Sequence, residues 1–217
     1  MLSAKNLCKS FGQLQVLKDL NLEVAQSEII SIVGRSGAGK TTLLQILGTL
    51  DRPDSGALEI DGVAAFELSN NALADFRNQN LGFVFQFHQL LPEFNALENI
   101  ALPGYLNRSK TRSQIDARAK ELLDYFGLTE RAKHKPAQLS GGEQQRIAVA
   151  RALVNSPKLI LADEPSGNLD SQNAAELHRL ILQLRQDFKQ SFILVTHNPD
   201  LADLADRKLT MQDGELV

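Results

Sequence analysis

Three short stretches of the chain, residues 28–33, 158–162 and 191–195, are almost entirely apolar, with no polar residue at alternate positions. Runs of this length and pattern predict parallel strands covered on both faces. A helical spacing of apolar residues follows each one. Leu43, Leu44, Ile46 and Leu47 come after Lys40, Leu177, Leu180, Ile181, Leu184 and Phe188 after Asp170, and Leu201 and Leu204 after Asn198. Alternation of strand and helix predicts a doubly wound α/β core. Ahead of it, residues 2–11 and 15–24 read as two antiparallel strands and 57–61 as a third, forming a small antiparallel β subdomain. Between 90 and 155 the strand signal fades, while 113–126 and 141–154 carry helical spacing, which predicts an inserted helical subdomain. The expected organisation is one domain over 1–217, with 1–89 and 156–217 as core plus side sheet and 90–155 as the helical insertion.

Composition narrows the function classes. A chain of 217 residues that is 43% hydrophobic can bury a sizeable core within one domain. Its formal net charge of -3 gives no overall basic field, which argues against nucleic acid as a partner. The longest apolar runs fall far short of the roughly 20 residues that span a bilayer. Residues 1–15 carry Lys5 and Lys9 without an uninterrupted apolar stretch, so they do not read as a secretory signal. A membrane process would therefore need a partner to supply the membrane. Cys8, the single cysteine, has no partner for an intrachain disulfide.

Chemistry enters at the strand ends. Gly34, Arg35, Ser36, Gly37, Ala38, Gly39, Lys40 and Thr41 fit G-x-x-x-x-G-K-[ST], after an apolar strand and at the opening of a helix that continues with Thr42. Glycines let backbone amides wrap phosphates, the helix N-terminus adds partial positive charge, Lys40 can reach the β and γ phosphates, and Thr41 offers a hydroxyl to Mg2+. The expected fold is a P-loop NTPase with a RecA-like parallel sheet. This motif alone leaves kinases, GTPases, recombinases and transport ATPases open. The second apolar strand ends in Asp163 and Glu164, the edge where ligands sit in open α/β sheets. Asp163 would hold the metal shell, and Glu164 would orient or deprotonate the water that attacks the γ phosphate. His197, after Thr196 at the end of the third strand, would reach the same rim.

Residues 139–146, LSGGEQQR, resemble the LSGGQ signature of the ABC ATPases, with Glu143 where the commonest form has Gln. The residues also stand as a physical pattern: Ser140 and Glu143 form a capping box ahead of Ile147, Ala148, Ala150, Leu153 and Val154 on a helix. The resemblance implies that Ser140, Gly141 and Gly142 bind ATP held by an opposite subunit. One chain then holds half of each site, and a homodimer sandwiching two ATPs follows, or a heterodimer with a related subunit. Gln86, after residues 81–85, matches the Q-loop, implying contact with the metal or the water and sensing of a permease. Residues 166–170 resemble the D-loop, with Asp170 toward the partner subunit, and His197 matches the switch histidine. Phe11 stands where the family often has an adenine-stacking tyrosine.

The similarity runs from Leu2 to Val217. Residues 81–92, 96–100 and 162–170 are similar to the lipoprotein-releasing LolD type, whose near relatives serve macrolide export and cell division. The resemblance implies an ATPase at the cytoplasmic face of the inner membrane, peripheral through an integral membrane permease that handles the substrate. Macrolide-type export and a regulatory cell-division ATPase are the rival readings. A soluble DNA-repair or translation factor of this family would usually carry long insertions or two fused cassettes, which this chain lacks.

Overall fold

The computed structural model describes residues 1–217. Along the chain, β1 (Leu2–Phe11) and β2 (Leu14–Val24) precede β3 (Ile29–Val33) and α1 (Lys40–Leu47). Next come β4 (Ser55–Ile60), β5 (Val63–Ala64), α2 (Asn70–Asn80) and β6 (Leu81–Phe85). Three helices follow: α3 (Ala96–Tyr105), α4 (Arg112–Tyr125) and α5 (Gly141–Leu153). The chain closes with β7 (Leu159–Asp163), α6 (Ser171–Phe188), β8 (Ser191–Val195), α7 (Pro199–Ala202), β9 (Arg207–Gln212) and β10 (Glu215–Leu216).

The core is a six-stranded sheet in the order β10-β9-β3-β8-β7-β6, parallel except for β10. A second sheet, β2-β1-β4-β5, is antiparallel throughout. Both are as the sequence predicts. The reason β3, β7 and β8 are apolar without alternation is visible in the packing, since successive side chains enter opposite faces and both faces are covered. Ile29, Ile160, Phe192 and Leu194 join an apolar cluster with α3, α4, α5 and α6. Ile30, Ile32, Leu161, Ile193 and Val195 join another with α1 and the antiparallel sheet. The sheet is thus the shared wall of two cores.

Several elements lie outside the sequence expectation. Helix α2 buries only Leu73, so it has almost no apolar stripe to read, although Ser69 caps it. Strand β9 buries only Met211 and β10 buries nothing, as befits an edge. In α3, Pro103 and Gly104 obscure a helix that Asn95 and Glu98 open with a complete capping box. Helix α7 is a single turn after Pro199, so Leu204 lies beyond it.

One buried side chain shapes the segment after β6. Asn99, on α3, accepts from Leu91 N (2.8 Å) and donates to the carbonyls of Leu91, Phe94 and Asn95 (3.1, 3.1 and 3.0 Å). A single amide therefore ties the loop to α3, adding to the loop's own bond from Phe94 N to Leu91 O (3.2 Å).

Phe192 is 1% exposed at the centre of the sheet. Phe192→Ala should lower the unfolding free energy by about 3–5 kcal/mol, read from urea denaturation. A loss below about 1 kcal/mol would show that the two cores do not depend on this wall.

Candidate active site

Strand register creates the site. Ile32 pairs with Val195, Val195 with Asp163, and Asp163 with Phe85, forming one row across β3, β8, β7 and β6. Parallel strands that share a row leave the sheet at one edge. Gly34, Thr196, Glu164 and Gln86 all emerge there. They border a cavity of about 640 Å³ lined by Gly34, Ser36, Gly37, Gly39, Lys40, Thr41, Thr42, Gln86, Asp163, Glu164 and His197, among others. Arg35 and Ala38 face a neighbouring cavity beside Thr210–Asp213 (residues 210–213).

The loop before α1 needs its glycines for stated reasons. At Gly34 (φ 154°) a Cβ would stand 2.2 Å from Met211 O, and at Gly39 (φ 105°) 2.9 Å from Val16 O. Gly39 caps α1 without any side-chain hydrogen bond, and the first turn holds no acid. Its first N–H groups therefore remain available to an anion. Lys40 Nζ donates to Gly34 O (2.8 Å) and Arg35 O (2.9 Å), so the ammonium curls back over its own loop.

Thr41 Oγ1 donates to Asp163 Oδ2 at 3.2 Å. Burial pushes the Asp163 carboxyl above its usual range; Thr41 opposes this, Glu164 adds to it and Lys40 offsets it. The donor set of Thr41, Asp163 and Gln86 is all oxygen if Gln86 presents its amide oxygen, which fits Mg2+.

Glu164 is the most tightly held group at the edge. Its backbone is left-handed (φ 46°), an arrangement that costs of order 1–3 kcal/mol and persists only when its surroundings enforce it. Here they do: Glu164 N donates to Val195 O (2.8 Å), while Thr196 Oγ1 and His197 N donate to Glu164 Oε2 (both 3.2 Å). His197 Nδ1 lies 2.7 Å from Glu164 Oε1. A carboxylate only accepts, so Nδ1 carries the proton in this contact. The Glu164 side chain is 17% exposed and the imidazole 72%, so the histidine stands between the carboxylate and solvent.

Gln86 Nε2 donates to Asn168 Oδ1 (3.2 Å), and Asn168 Nδ2 donates to Gln86 O (3.1 Å). Beyond Gln86 the chain turns through His88 (φ 54°) and Gln89 (φ 49°), and Arg151 Nη2 donates to His88 O at 2.7 Å. The sequence singles out neither Asn168 nor Arg151. Both act through hydrogen bonds to residues far away in the chain, which periodicity cannot reveal.

Other expected site residues lie apart. Ser140 caps α5 in a full capping box: Glu143 N donates to Ser140 Oγ (3.2 Å) and Ser140 N to Glu143 Oε2 (2.8 Å). Arg131 also pairs with Glu143 at 2.8 Å, and together these donors hold its carboxyl below the usual range. Ser140, Gly141 and Gly142 do not line the phosphate cavity. Asp170 caps α6, accepting from Asn173 N (2.9 Å) and Nδ2 (2.7 Å). Phe11, 53% exposed, ends β1 with Lys9 Nζ 5.3 Å from its ring centroid, and it too stands outside the cavity.

A family model described as ABC transporter matches residues 17–167. The chain belongs to this family. It is 56% identical over 217 residues, the whole of both chains, to the lipoprotein-releasing system ATP-binding protein LolD of Bacteroides fragilis. It is also 56% identical to the protein of that name from Porphyromonas gingivalis, covering 100% of this chain and 98% of the other. Among solved structures, a dimeric ATP-binding cassette in a post-hydrolysis state with ADP and Pi superposes with a TM-score of 0.89. That cassette is 38% identical, and the match covers 100% of this chain and 96% of the other. The chain is thus an ATP-binding ABC ATPase, and its fold is that of the solved cassettes.

In this ABC ATPase the raised Asp163 carboxyl has a thermodynamic consequence. The folded chain binds a proton there at higher pH than the unfolded chain, so near neutral pH the ionised Asp163 opposes folding. Asp163→Asn should raise the nucleotide-free melting temperature at about pH 7, each kcal/mol being worth about 2–4 °C. That gain should shrink as pH falls through the folded-state pKa. A variant that melts at or below the parent temperature near neutral pH would contradict it.

Proposed function

We propose that this ABC ATPase powers lipoprotein release by a separate integral membrane permease. It would work as a homodimer with two sandwiched ATPs at the cytoplasmic face of the inner membrane. Lipoprotein release rests on the names of relatives that match the chain over its full length at up to 56% identity. The dimer rests on one observation. Lys40, Thr41, Gln86, Asp163, Glu164 and His197 share a cavity that Ser140, Gly141 and Gly142 do not enter. A signature helix with an exposed, well-capped N-terminus then has phosphate to meet only on another copy. One solved relative that superposes on the chain is described as dimeric in two structures, which supports the same reading.

The chemistry follows from the edge of the sheet. Backbone amides of the loop from Gly34 to Lys40 and the α1 N-terminus bind the phosphates, and Lys40 exchanges its loop carbonyls for phosphate oxygens. Thr41, Asp163 and Gln86 would hold Mg2+, which supplies charge neutralisation on the phosphate oxygens when bound. Glu164 takes a proton from the attacking water as its oxygen bonds to the γ phosphorus. The bond to the bridging oxygen breaks, and ADP leaves with phosphate as the second product. His197 holds the carboxylate through Nδ1 and presents its other face to solvent and ligand. Phe11 supplies a ring for adenine, and Asp170 faces the partner subunit. Residues 90–155 carry the signature helix as a unit.

No helix in the chain is long and apolar enough to cross a membrane. A groove of about 550 Å³ beside Gln86, lined by Leu50, Phe83, Phe85, Leu91, Leu102 and Leu106, supports docking of the permease. Leu106 is 67% exposed there.

Glu164→Gln should keep ATP binding, lower turnover by about 100-fold or more, and accumulate an ATP-bound dimer on size exclusion. Near-parental turnover would remove Glu164 from its role. Lys40→Ala should weaken ATP binding itself, measured by fluorescent nucleotide titration; unchanged affinity would contradict the cradle. Leu106→Glu should abolish copurification of the membrane permease while the isolated subunit still hydrolyses ATP. Retained copurification would move the docking site elsewhere.

A further inference from the structure

Gln86 is held by one side chain from a segment 82 residues away, and that pairing has a defined chemical direction. Asn168 Nδ2 meets the backbone carbonyl of Gln86 at 3.1 Å, and a carbonyl can only accept. The Asn168 amide can therefore face Gln86 in one sense only, with Oδ1 toward the Gln86 side chain. Oδ1 accepts, so the Gln86 group 3.2 Å away must be its NH2. The Gln86 amide oxygen is the end left free of Asn168, on a residue that lines the phosphate cavity. We infer that Asn168 is a positioning residue, which fixes the Gln86 amide with its oxygen available to the phosphate cavity. The function assigned to that oxygen, as a ligand for Mg2+, rests on the proposed function above.

The platform beneath Asn168 is well braced. Gly167 N donates to Glu164 O (3.0 Å) and Leu169 N to Ser166 O (3.1 Å), so the segment leaves Glu164 as two linked turns. Ser166 Oγ lies 3.3 Å from Nε2 of the buried His178 on α6. A Cβ at Gly167 would stand 2.9 Å from Gln86 Nε2, so the glycine lets the two segments touch. Register brings the other half into place, since Phe85 pairs with Asp163 and the next residues are Gln86 and Glu164. Asn168 itself is exposed, so its two neutral hydrogen bonds add little to fold stability. Their effect is on orientation.

The test reads orientation and metal separately. In nitrogen-15 spectra of the nucleotide-free protein, the Gln86 side-chain amide is assigned by its loss in Gln86→Ala. Asn168→Ala should move that pair to the position of free amides and speed its exchange with water. Gly167→Ala, a second variant that pushes on the same NH2, should displace the pair as well. Manganese titration by electron paramagnetic resonance, with ATP in a Glu164→Gln background, then follows the metal. Asn168→Ala should weaken manganese binding by about 2- to 10-fold, as for one lost neutral hydrogen bond. It should add nothing on top of Gln86→Ala, because it acts through that residue. An unmoved Gln86 amide in Asn168→Ala overturns the inference, as does an equal manganese loss with and without Gln86. A displaced amide with unchanged manganese binding keeps Asn168 as the positioning residue and overturns instead the assignment of Gln86 to the metal.

Discussion

The structure depends on the register of four parallel strands. Ile32, Val195, Asp163 and Phe85 form one transverse row; Asp163 stands in it, Glu164, Gln86, Thr196 and His197 follow directly, and Lys40 and Thr41 follow after the glycine loop. A slip of one residue in any pairing would turn that strand's side chains to the opposite face and carry its functional group out of the cavity. The continuous apolar runs prevent this only in part, because an apolar residue fits either face. The strands are fixed instead by what lies on each side. Phe192 and Leu194 face the helices, while Ile193 and Val195 face α1 and the antiparallel sheet. The two cores thus align the catalytic edge without touching a ligand.

Legibility in the sequence follows from this division of labour. Strands β3, β7 and β8 are readable because double-sided burial leaves no polar alternation in them, and the loop before α1 because phosphate binding demands glycine at stated places. The capping box of Ser140 and Glu143 is local, three residues apart, and appears as expected. What periodicity misses is sparsely buried or long-range. Helix α2 buries one side chain and β9 one, too few for a period to register. Thr196, Asn168 and Arg151 matter through a few hydrogen bonds across the fold, which leave no periodic mark on neighbouring residues. The capping box of α3 was legible in principle, since Asn95 and Glu98 carry the same spacing as Ser140 and Glu143. Pro103 draws the eye away from it.

Glu143 shows how a departure from the commonest signature is accommodated. A carboxylate in place of an amide brings a charge to the N-terminus of α5, where the helix dipole favours it. Arg131 meets that charge at 2.8 Å and the Ser140 N–H at 2.8 Å completes the cap. The helix tip is therefore rigid and its charge already paired. In the proposed dimer, a phosphate approaching from a second copy would meet Ser140 and the glycines beside a neutralised acid rather than a free one.

The charged and hydroxyl side chains at the sheet edge hold one another or nearby backbone, which constrains how the site works. Lys40 is bound to Gly34 O and Arg35 O, Thr41 to Asp163, and Glu164 to Thr196 and His197. Binding therefore exchanges hydrogen bonds rather than adding them, and the net gain per bond is modest. The larger gain comes from charge, since phosphates meet an ammonium and the uncapped N-terminus of α1. Glu164 differs from the others, because its left-handed backbone and three donors fix it before any ligand arrives. In the proposed reaction Lys40 and Thr41 would exchange these partners for phosphate and metal, whereas Glu164, the proposed base, would keep its own. A base held by the fold, beside phosphate ligands that exchange partners, would let binding rearrange the loop while the geometry of proton transfer stays set.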